Sequence, residues 1–363
     1  LNKDANQMPK PEECLKMDEL LQLIQREYAL AVTGHQPFRS VRKLFTAKGV
    51  FLLKQMHCTE DHLLRIDFWL QQLIAAGFPW VIPFLSTREC LPFVEFKQKL
   101  YIISPWQSGT TPVFTNLNHL KRVAELWGQM HRVSQSVLPA DEMIPLNYWE
   151  DLQKKAAFLE SLLQSLRARS CVNRIDRSIR KWGGYFLHQA RFSLARLEAE
   201  DFPKWTRTTA AKGFCHNDPA PRNIIAHSRD WYIIDFELSG SGLFLGDLFT
   251  FLQRVLKANQ WKTEFIAPLL EVYCRQRPVF PEELKHLPAL LCFPRAFLRL
   301  CSQRFHENLP WTEKHFQSRL WEITTEEPLR LQLLQSWFPE LNGETTAPVG
   351  ERATPSISLG GCS

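Results

Sequence analysis

The chain has 363 residues, 45% apolar and 23% charged, and carries a formal net charge of +6. Such a composition supports a generous core in one large or two closely packed lobes and excludes wholesale disorder. No apolar run reaches the roughly 18 residues that a membrane span needs, and the lysines and arginines are dispersed rather than striped, which argues against nucleic acid as a partner.

The opening stretch LNKDANQMPKPEECLKMDE is polar and lacks the apolar segment of a secretory signal, so synthesis in the cytoplasm is expected. From Pro11 to Leu30, the positions Leu15, Leu20, Leu23, Ile24 and Leu30 fall near helical spacing and predict a first helix. The segment PFRSVRKLFTAKGVFLLKQM, residues 37 to 56, reads as two strands reversed at Thr46-Ala47-Lys48-Gly49. A helix is expected from about Thr59 to Ala76, stopped by Gly77 and Pro79. PFVEF and LYIIS complete a small antiparallel sheet before Pro105-Trp106 breaks the pattern.

Beyond Trp106 the periods are helical at 116 to 135, 150 to 170 and 174 to 200. The short strands GFCH, NIIAH and WYIIDFE follow, and then helices to about Trp337. Asn342 to Ser363, rich in Gly, Thr, Ser and Pro, is expected to be disordered. Nine cysteines lie scattered without a CxxC pair, a pattern of small buried side chains rather than of a zinc site or disulfide framework. The 25 Phe and 12 Trp are read as helix packing more readily than as stacking sites for an aromatic or cationic ligand.

One loop concentrates the chemistry. In GFCHNDPAPRNII, residues 213 to 225, two prolines, an arginine and an Asp-Asn pair interrupt a buried strand. The strands Asn223 to His227 and Trp231 to Asp235, separated by Ser228-Arg229-Asp230, form a hairpin that would bring Asp218, Asn223 and Asp235 to one end. Three oxygen-bearing side chains converging there suit Mg²⁺, with Asp218 free to orient or deprotonate a hydroxyl. Taken singly, Asp218 reads equally as the start of an Asx-turn and Asn223 as a cap on loop backbone groups. Asp235 differs, because a charge at the end of the apolar run Tyr232-Ile233-Ile234 needs a partner or a metal.

HNDPAPRN resembles the H-x-D-x-x-x-x-N catalytic loop, and IIDFE the metal-binding segment, of the aminoglycoside phosphotransferase and choline kinase branch of protein-kinase-like enzymes. The resemblance implies an α+β, bilobal protein-kinase-like fold: a small antiparallel-sheet N-lobe over 1–104, a hinge at Ser104 to Trp106, a mainly helical C-lobe over 105–341, and the tail 342–363. It implies Asp218 as catalytic base, and Asn223 and Asp235 as metal ligands. Lys54, Ser104 and Trp106 would lie against ATP. His216 and Asp247 would support the loop, although Asp247 reads equally as an ordinary acid in a first helical turn. ATP and Mg²⁺ are the implied cofactors.

GVFLLKQMH, AAGFP, YIIDFE followed by DL…RVLKANQW, and FPRAFLRLCSQRF with a late PW resemble the CotS family of bacterial spore coat proteins over roughly residues 35 to 335. That likeness implies two functions: a phosphotransferase acting on a small hydroxylated molecule or a coat component, or a pseudokinase that assembles with other spore coat proteins in the coat.

Three features depart from the kinase pattern. The position of the acid that would fix Lys54 falls at Ile66, with Asp67 beside it and Glu60 about two turns earlier, so its partner stays open. No glycine lies between His35 and Phe45 to admit phosphates close to the backbone. Leu52, on the same strand face as Lys54, would roof the adenine and narrow the nucleotide pocket.

Overall fold

The structure, a computed structural model, describes residues 11–137, 148–169, 173–208, 211–279 and 281–342, so the tail expected from Asn342 lies, from 343 on, outside the described residues. The elements run α1 (Pro11–Tyr28), β1 (Val32–Phe38), β2 (Val41–Thr46), β3 (Gly49–Met56), α2 (Glu60–Ala75), β4 (Val94–Phe96), β5 (Lys99–Pro105) and α3 (Leu117–Val137). Next come α4 (Tyr148–Ala168), α5 (Arg174–Ala199), α6 (Phe202–Trp205), β6 (Lys212–Cys215), β7 (Ile224–His227), β8 (Asp230–Ile233) and β9 (Gly240–Leu243). The chain continues through α7 (Phe244–Ala258), α8 (Ile266–Gln276), α9 (Pro281–Leu284), α10 (Leu287–Cys292), α11 (Arg295–Phe305) and α12 (Glu313–Trp337). Among the described residues these form two compact units, one comprising 11–137, 207–208, 211–259 and 264–279, the other 148–169, 173–206, 260–263 and 281–342. No helix among them is long and apolar enough to cross a membrane.

The first unit is built on an antiparallel sheet in the order β1-β2-β3-β5-β4. The strand period of two divides β3 between the faces of that sheet. Leu53, with Leu44, Val94 and Ile103, packs against Leu20, Ile24 and Tyr28 of α1, whereas Met56 and Ile102 pack against Leu63 of α2. Lys54 and Leu52 share the face of Met56 and stand opposite Ile102 and Ser104 of β5. The expected hairpin over residues 41 to 56 is present, and β1 adds an edge strand that the sequence pattern does not announce. The reason lies in its residues: Gly34, His35, Gln36 and Pro37 give no apolar alternation, and proline is tolerated at an edge.

Local chemistry explains the ends of α2. The Thr59 side chain accepts a hydrogen bond from the His62 N–H, and Glu60 and Asp61 place negative charge at the positive end of the helix dipole. At the other end Gly77, at φ 90°, lets its own N–H reach Ile74 O and the Phe78 N–H reach Leu73 O, the pair of bonds that closes a helix in a Schellman motif.

Two small ribbons follow. β6 pairs with β9 and β7 with β8, all antiparallel. β9 is a further strand that the sequence conceals, since Gly-Ser-Gly-Leu carries no β-branched or aromatic residue. Two isolated bridges fix the β7–β8 ribbon: Val81 to Ile233 and Thr110 to Ala226. The second requires Gly109, where an added Cβ would lie 2.6 Å from Ala226 O.

The second unit is helical. Phe186 of α5 stacks on Phe297 of α11 at 4.3 Å between ring centroids. Glu327 of α12 accepts hydrogen bonds at Oε1 from Tyr185, Gln189 and Arg330, so this buried charge is paired and hydrogen-bonded next to Pro328, which interrupts the helical bonding of α12.

Candidate functional site

Every candidate residue of the sequence analysis lies in the first unit. β6 delivers the chain to His216, Asn217 and Asp218, and Pro221 to Asn223 form a single 3-10 turn before β7. The backbone here leaves the ladder, so its polar groups need other partners. Asp247, in the first turn of α7 and 2% exposed, supplies them: its carboxylate accepts from the N–H groups of His216 at 2.7 Å and Asn217 at 2.8 Å, and faces His131 Nε2 at 3.3 Å. His216 locks the loop to the strand beyond. Its Nδ1 accepts from the Asp218 N–H at 3.2 Å, which leaves Nε2–H to donate to Ile234 O at 2.9 Å. Burial pushes the pKa of both His216 and His131 below the ordinary imidazole value, so each is held neutral. Asn217 sits at φ 64°, a left-handed conformation that asparagine tolerates.

The Asp218 carboxylate is 12% exposed and fully engaged: Arg254 of α7 donates to Oδ1 at 2.5 Å, while Arg222 at 2.7 Å and Asn223 Nδ2 at 2.9 Å donate to Oδ2. Burial raises its pKa, but the charges of Arg254 and Arg222 and the Asn223 hydrogen bond outweigh burial and hold the carboxyl below its usual range. Asn223, 2% exposed, also donates to Asp218 O at 2.9 Å. Both donor bonds run to Asp218, so Oδ1 is the atom left to meet a cation.

The Asn223 carbonyl accepts from the Ile234 N–H at 2.9 Å, which sets Asn223 beside the residue preceding Asp235. β8 ends at Ile233, and Asp235 turns out of the strand line at φ 67°. The expectation of a buried charge is therefore corrected. The Asp235 side chain is 39% exposed because the left-handed turn carries it off the ribbon, and its Oδ1 meets Lys54 Nζ at 2.5 Å.

Lys54 has a second acid. Glu237 Oε2 lies 2.8 Å from its ammonium, and Glu237 Oε1 accepts from the His57 N–H at 2.5 Å. The imidazole of His62, on α2, faces Glu237 O at 3.0 Å through Nε2. Burial lowers the Lys54 pKa, and the hydrogen bonds and charges of Asp235 and Glu237 reverse that and raise it above the ordinary value. Ile66, Asp67 and Glu60 of α2 make no such bond: Ile66 is buried in the core, Asp67 leaves Oδ1 without a hydrogen-bond partner, and Glu60 is exposed. The signal for Glu237 was in the sequence, as the third residue of Asp-Phe-Glu. Arg254 was missed as well, and only its helical register with Asp247 could have indicated it.

Ser104 is buried opposite Leu52. The Trp106 N–H is committed to Val50 O at 3.0 Å, and its indole lies under Lys43 Nζ at 4.2 Å and edge-on to Phe38. These positions border the Lys54 face of β3 through backbone pairing. For a divalent cation the donor set fits: Asn223 and Asp235 offer oxygen atoms at neighbouring positions of one ribbon, the hard ligands that Mg²⁺ takes. A separate buried group of His131, Cys215 and Asp247 has ligand atoms within 4.8 Å of one another, but His131 is already hydrogen-bonded to Tyr273 and Asp247, and Asp247 to the loop.

The profile of the phosphotransferase enzyme family matches residues 38–284, more than half of the chain. No curated protein matches it. Among solved structures, the aminoglycoside phosphotransferase from Alicyclobacillus acidocaldarius is similar at a TM-score of 0.74 and 19% identity, over 94% of this chain and 99% of that one. A spectinomycin phosphotransferase in complex with ADP and spectinomycin matches at a TM-score of 0.62 and 15% identity, over 86% of this chain and 93% of that one. An amicoumacin kinase in complex with AMP-PNP, Ca²⁺ and Ami matches at a TM-score of 0.61 and 15% identity, over 89% of this chain and 96% of that one. The fold is accordingly kinase-like, with a five-stranded antiparallel sheet in the N-lobe and a mostly helical C-lobe. By its sequence profile the chain belongs to the phosphotransferase enzyme family.

Proposed function

We propose that this protein transfers the γ-phosphoryl group of ATP, in the presence of Mg²⁺, to a hydroxyl of a small molecule. The carrying observation is the pairing of Lys54, on β3, with Asp235, just after β8, beside Asn223 and Asp218. Kinase-like relatives captured with ADP or AMP-PNP support the nucleotide part of the reading. Lys54 would exchange part of its pairing with Asp235 and Glu237 for the phosphates. Ser104 and Trp106 would border the adenine beneath Leu52. Asn223 Oδ1 and Asp235 would hold Mg²⁺, which when bound neutralises phosphate charge. Asp218 would orient the acceptor hydroxyl and take its proton as the oxygen bonds to phosphorus and ADP departs. His216 and Asp247 act by keeping the loop backbone in place.

A second reading keeps the fold without turnover: a pseudokinase that serves as an assembly protein, made in the cytoplasm and carried in the spore coat with other coat proteins. The two acids on Lys54 and the two guanidinium groups on Asp218 favour it, since they match the site's charges within the chain itself. The coat location and partners rest on the sequence resemblance to the CotS family.

Thermal shift and phosphate release with ATP and Mg²⁺, beside an Asp235→Ala variant, separate the two. Transfer predicts a magnesium-dependent shift and turnover, both lost in the variant. A shift without turnover, across a panel of hydroxylated acceptors, points to the scaffold. No shift at millimolar nucleotide removes the phosphotransferase reading.

A further inference from the structure

The acceptor of the proposed reaction is unnamed, yet the surroundings of Asp218 restrict its charge. Arg254 neutralises Asp218 through Oδ1, and Asn223 adds a hydrogen bond to Oδ2. Arg222 is a second guanidinium on the same carboxylate, and it differs from Arg254 in its setting. Its side chain is 63% exposed, against 27% for Arg254. Asp218 is the ion-pair partner of Arg222 among the described residues, and the bond uses one edge of a fork that carries five N–H donors. The loop does not depend on it, because Asp247, His216 and Ile234 already anchor the backbone on both sides.

We infer that the phosphate acceptor carries an anionic oxyacid group close to the hydroxyl that is phosphorylated, and that Arg222 is the residue that recognises it. The inference rests on the phosphotransferase reading for the identity of the site, and on the exposed guanidinium for the charge. A guanidinium at the lip of the base binds a carboxylate or phosphate through two parallel N–H bonds, whereas an ammonium group brought to the same place meets a like charge. Binding such an anion would also draw Arg222 from Asp218 and leave the carboxylate with Arg254 and Asn223. Arg222 is a positioning and specificity residue on this account, since it acts on the acceptor away from the reacting oxygen.

The test uses the full chain and four probes that share a polyhydroxy scaffold: D-gluconate, glucose 6-phosphate, glucose and glucosamine. Direct binding by calorimetry at fixed ionic strength is measured for the native protein, Arg222→Gln and Arg222→Lys. The expected result is binding of gluconate or glucose 6-phosphate in preference to glucose and glucosamine, weakened about tenfold or more in Arg222→Gln, the size of a lost charge-assisted bond, and partly kept in Arg222→Lys. Whichever anion binds better tells a carboxylate acceptor from a phosphorylated one. An unchanged denaturation midpoint shows that the variant is folded. Equal or tighter binding of glucosamine, binding of neither anion, or an Arg222→Gln protein that binds the anion as well as the native one overturns the inference. A parallel titration with ATP and Mg²⁺ keeps the two proposals apart: absence of nucleotide binding by the native protein at millimolar ATP refutes the phosphotransferase reading, while the anion arm judges Arg222 by itself.

Discussion

Replacing Asp247 with alanine is expected to destabilise the first unit more than any exposed substitution in the loop. The carboxylate is 2% exposed, and it serves the His216 N–H, the Asn217 N–H and His131 Nε2. His216 and His131 are themselves fully buried, so water does not replace the lost acceptor. An orphaned buried donor costs about 1–3 kcal/mol. The two short backbone bonds contribute most, and relief from keeping a carboxylate buried offsets part, giving a net loss of about 3–5 kcal/mol. For a unit of this size that corresponds to a midpoint lowered by roughly 6–20 °C. Trp127, 1% exposed and edge-on to His216 at 5.3 Å, reports locally by fluorescence during urea unfolding. A loss below about 1 kcal/mol, the range of an ordinary surface change, would refute the claim that Asp247 anchors the loop.

Three further outcomes follow from particular contacts. His286 of the second unit lies between Phe202 and Trp205 and 3.4 Å from Glu200 with no hydrogen bond to either ring nitrogen, and burial, then Lys285, brings its pKa down to about 4 from 6.5. Its folded value is below its unfolded one, so its contribution to stability is present above pH 6.5 and lost as pH falls toward 4; His286→Leu should flatten the fall of the urea midpoint across that window. Glu200, raised by burial, acts in the opposite sense, and a profile unchanged in the variant would show that His286 does not titrate on unfolding. Gly109→Ala should weaken the Thr110–Ala226 bridge and cost about 1–3 kcal/mol, because the new Cβ meets backbone; hydrogen exchange at the Ala226 amide measures it, and unaltered protection would count against the close approach. Glu237→Gln removes one of the two acids that raise Lys54, so the pH at which Lys54 half-reacts with an acylating reagent should fall, whereas no change would mean that Asp235 alone sets it.

The loop and its two strands could be read from the sequence because their chemistry is contiguous. Asp218, Asn223 and Asp235 flank the two ends of one short hairpin, and the prolines at 219 and 221 mark where the backbone leaves the ladder. The ends of α2 were equally legible, since Thr59 and Gly77 act on neighbours a few residues away. What was hidden depends on distance along the chain. Glu237 is visible as the third residue of Asp-Phe-Glu, but its bond to Lys54 spans 183 residues, and no local period points from one to the other. The position on α2 that the kinase pattern gives that acid holds Ile66, which the helix buries in the core. Arg254 meets Asp218 only because α7 sets Asp247 under the loop in its first turn and presents Arg254 on the same side two turns later. β1 and β9 escaped notice for a different reason: their residues carry weak strand preference, and pairing with β2 and β6 supplies what the residues do not.

The central claim is that Asn223 and Asp235 share one divalent cation with a nucleotide that Lys54 also contacts. Paramagnetic Mn²⁺ in place of Mg²⁺ tests it directly, by titrating the native chain and the single variants Asn223→Ala and Asp235→Asn in the presence of ATP and following bound metal by electron paramagnetic resonance. The account predicts metal binding that requires the nucleotide and weakens about tenfold or more in each variant, as loss of one ligand to a shared ion should do. Metal bound equally well by both variants, or bound by the native chain without regard to ATP, would contradict it.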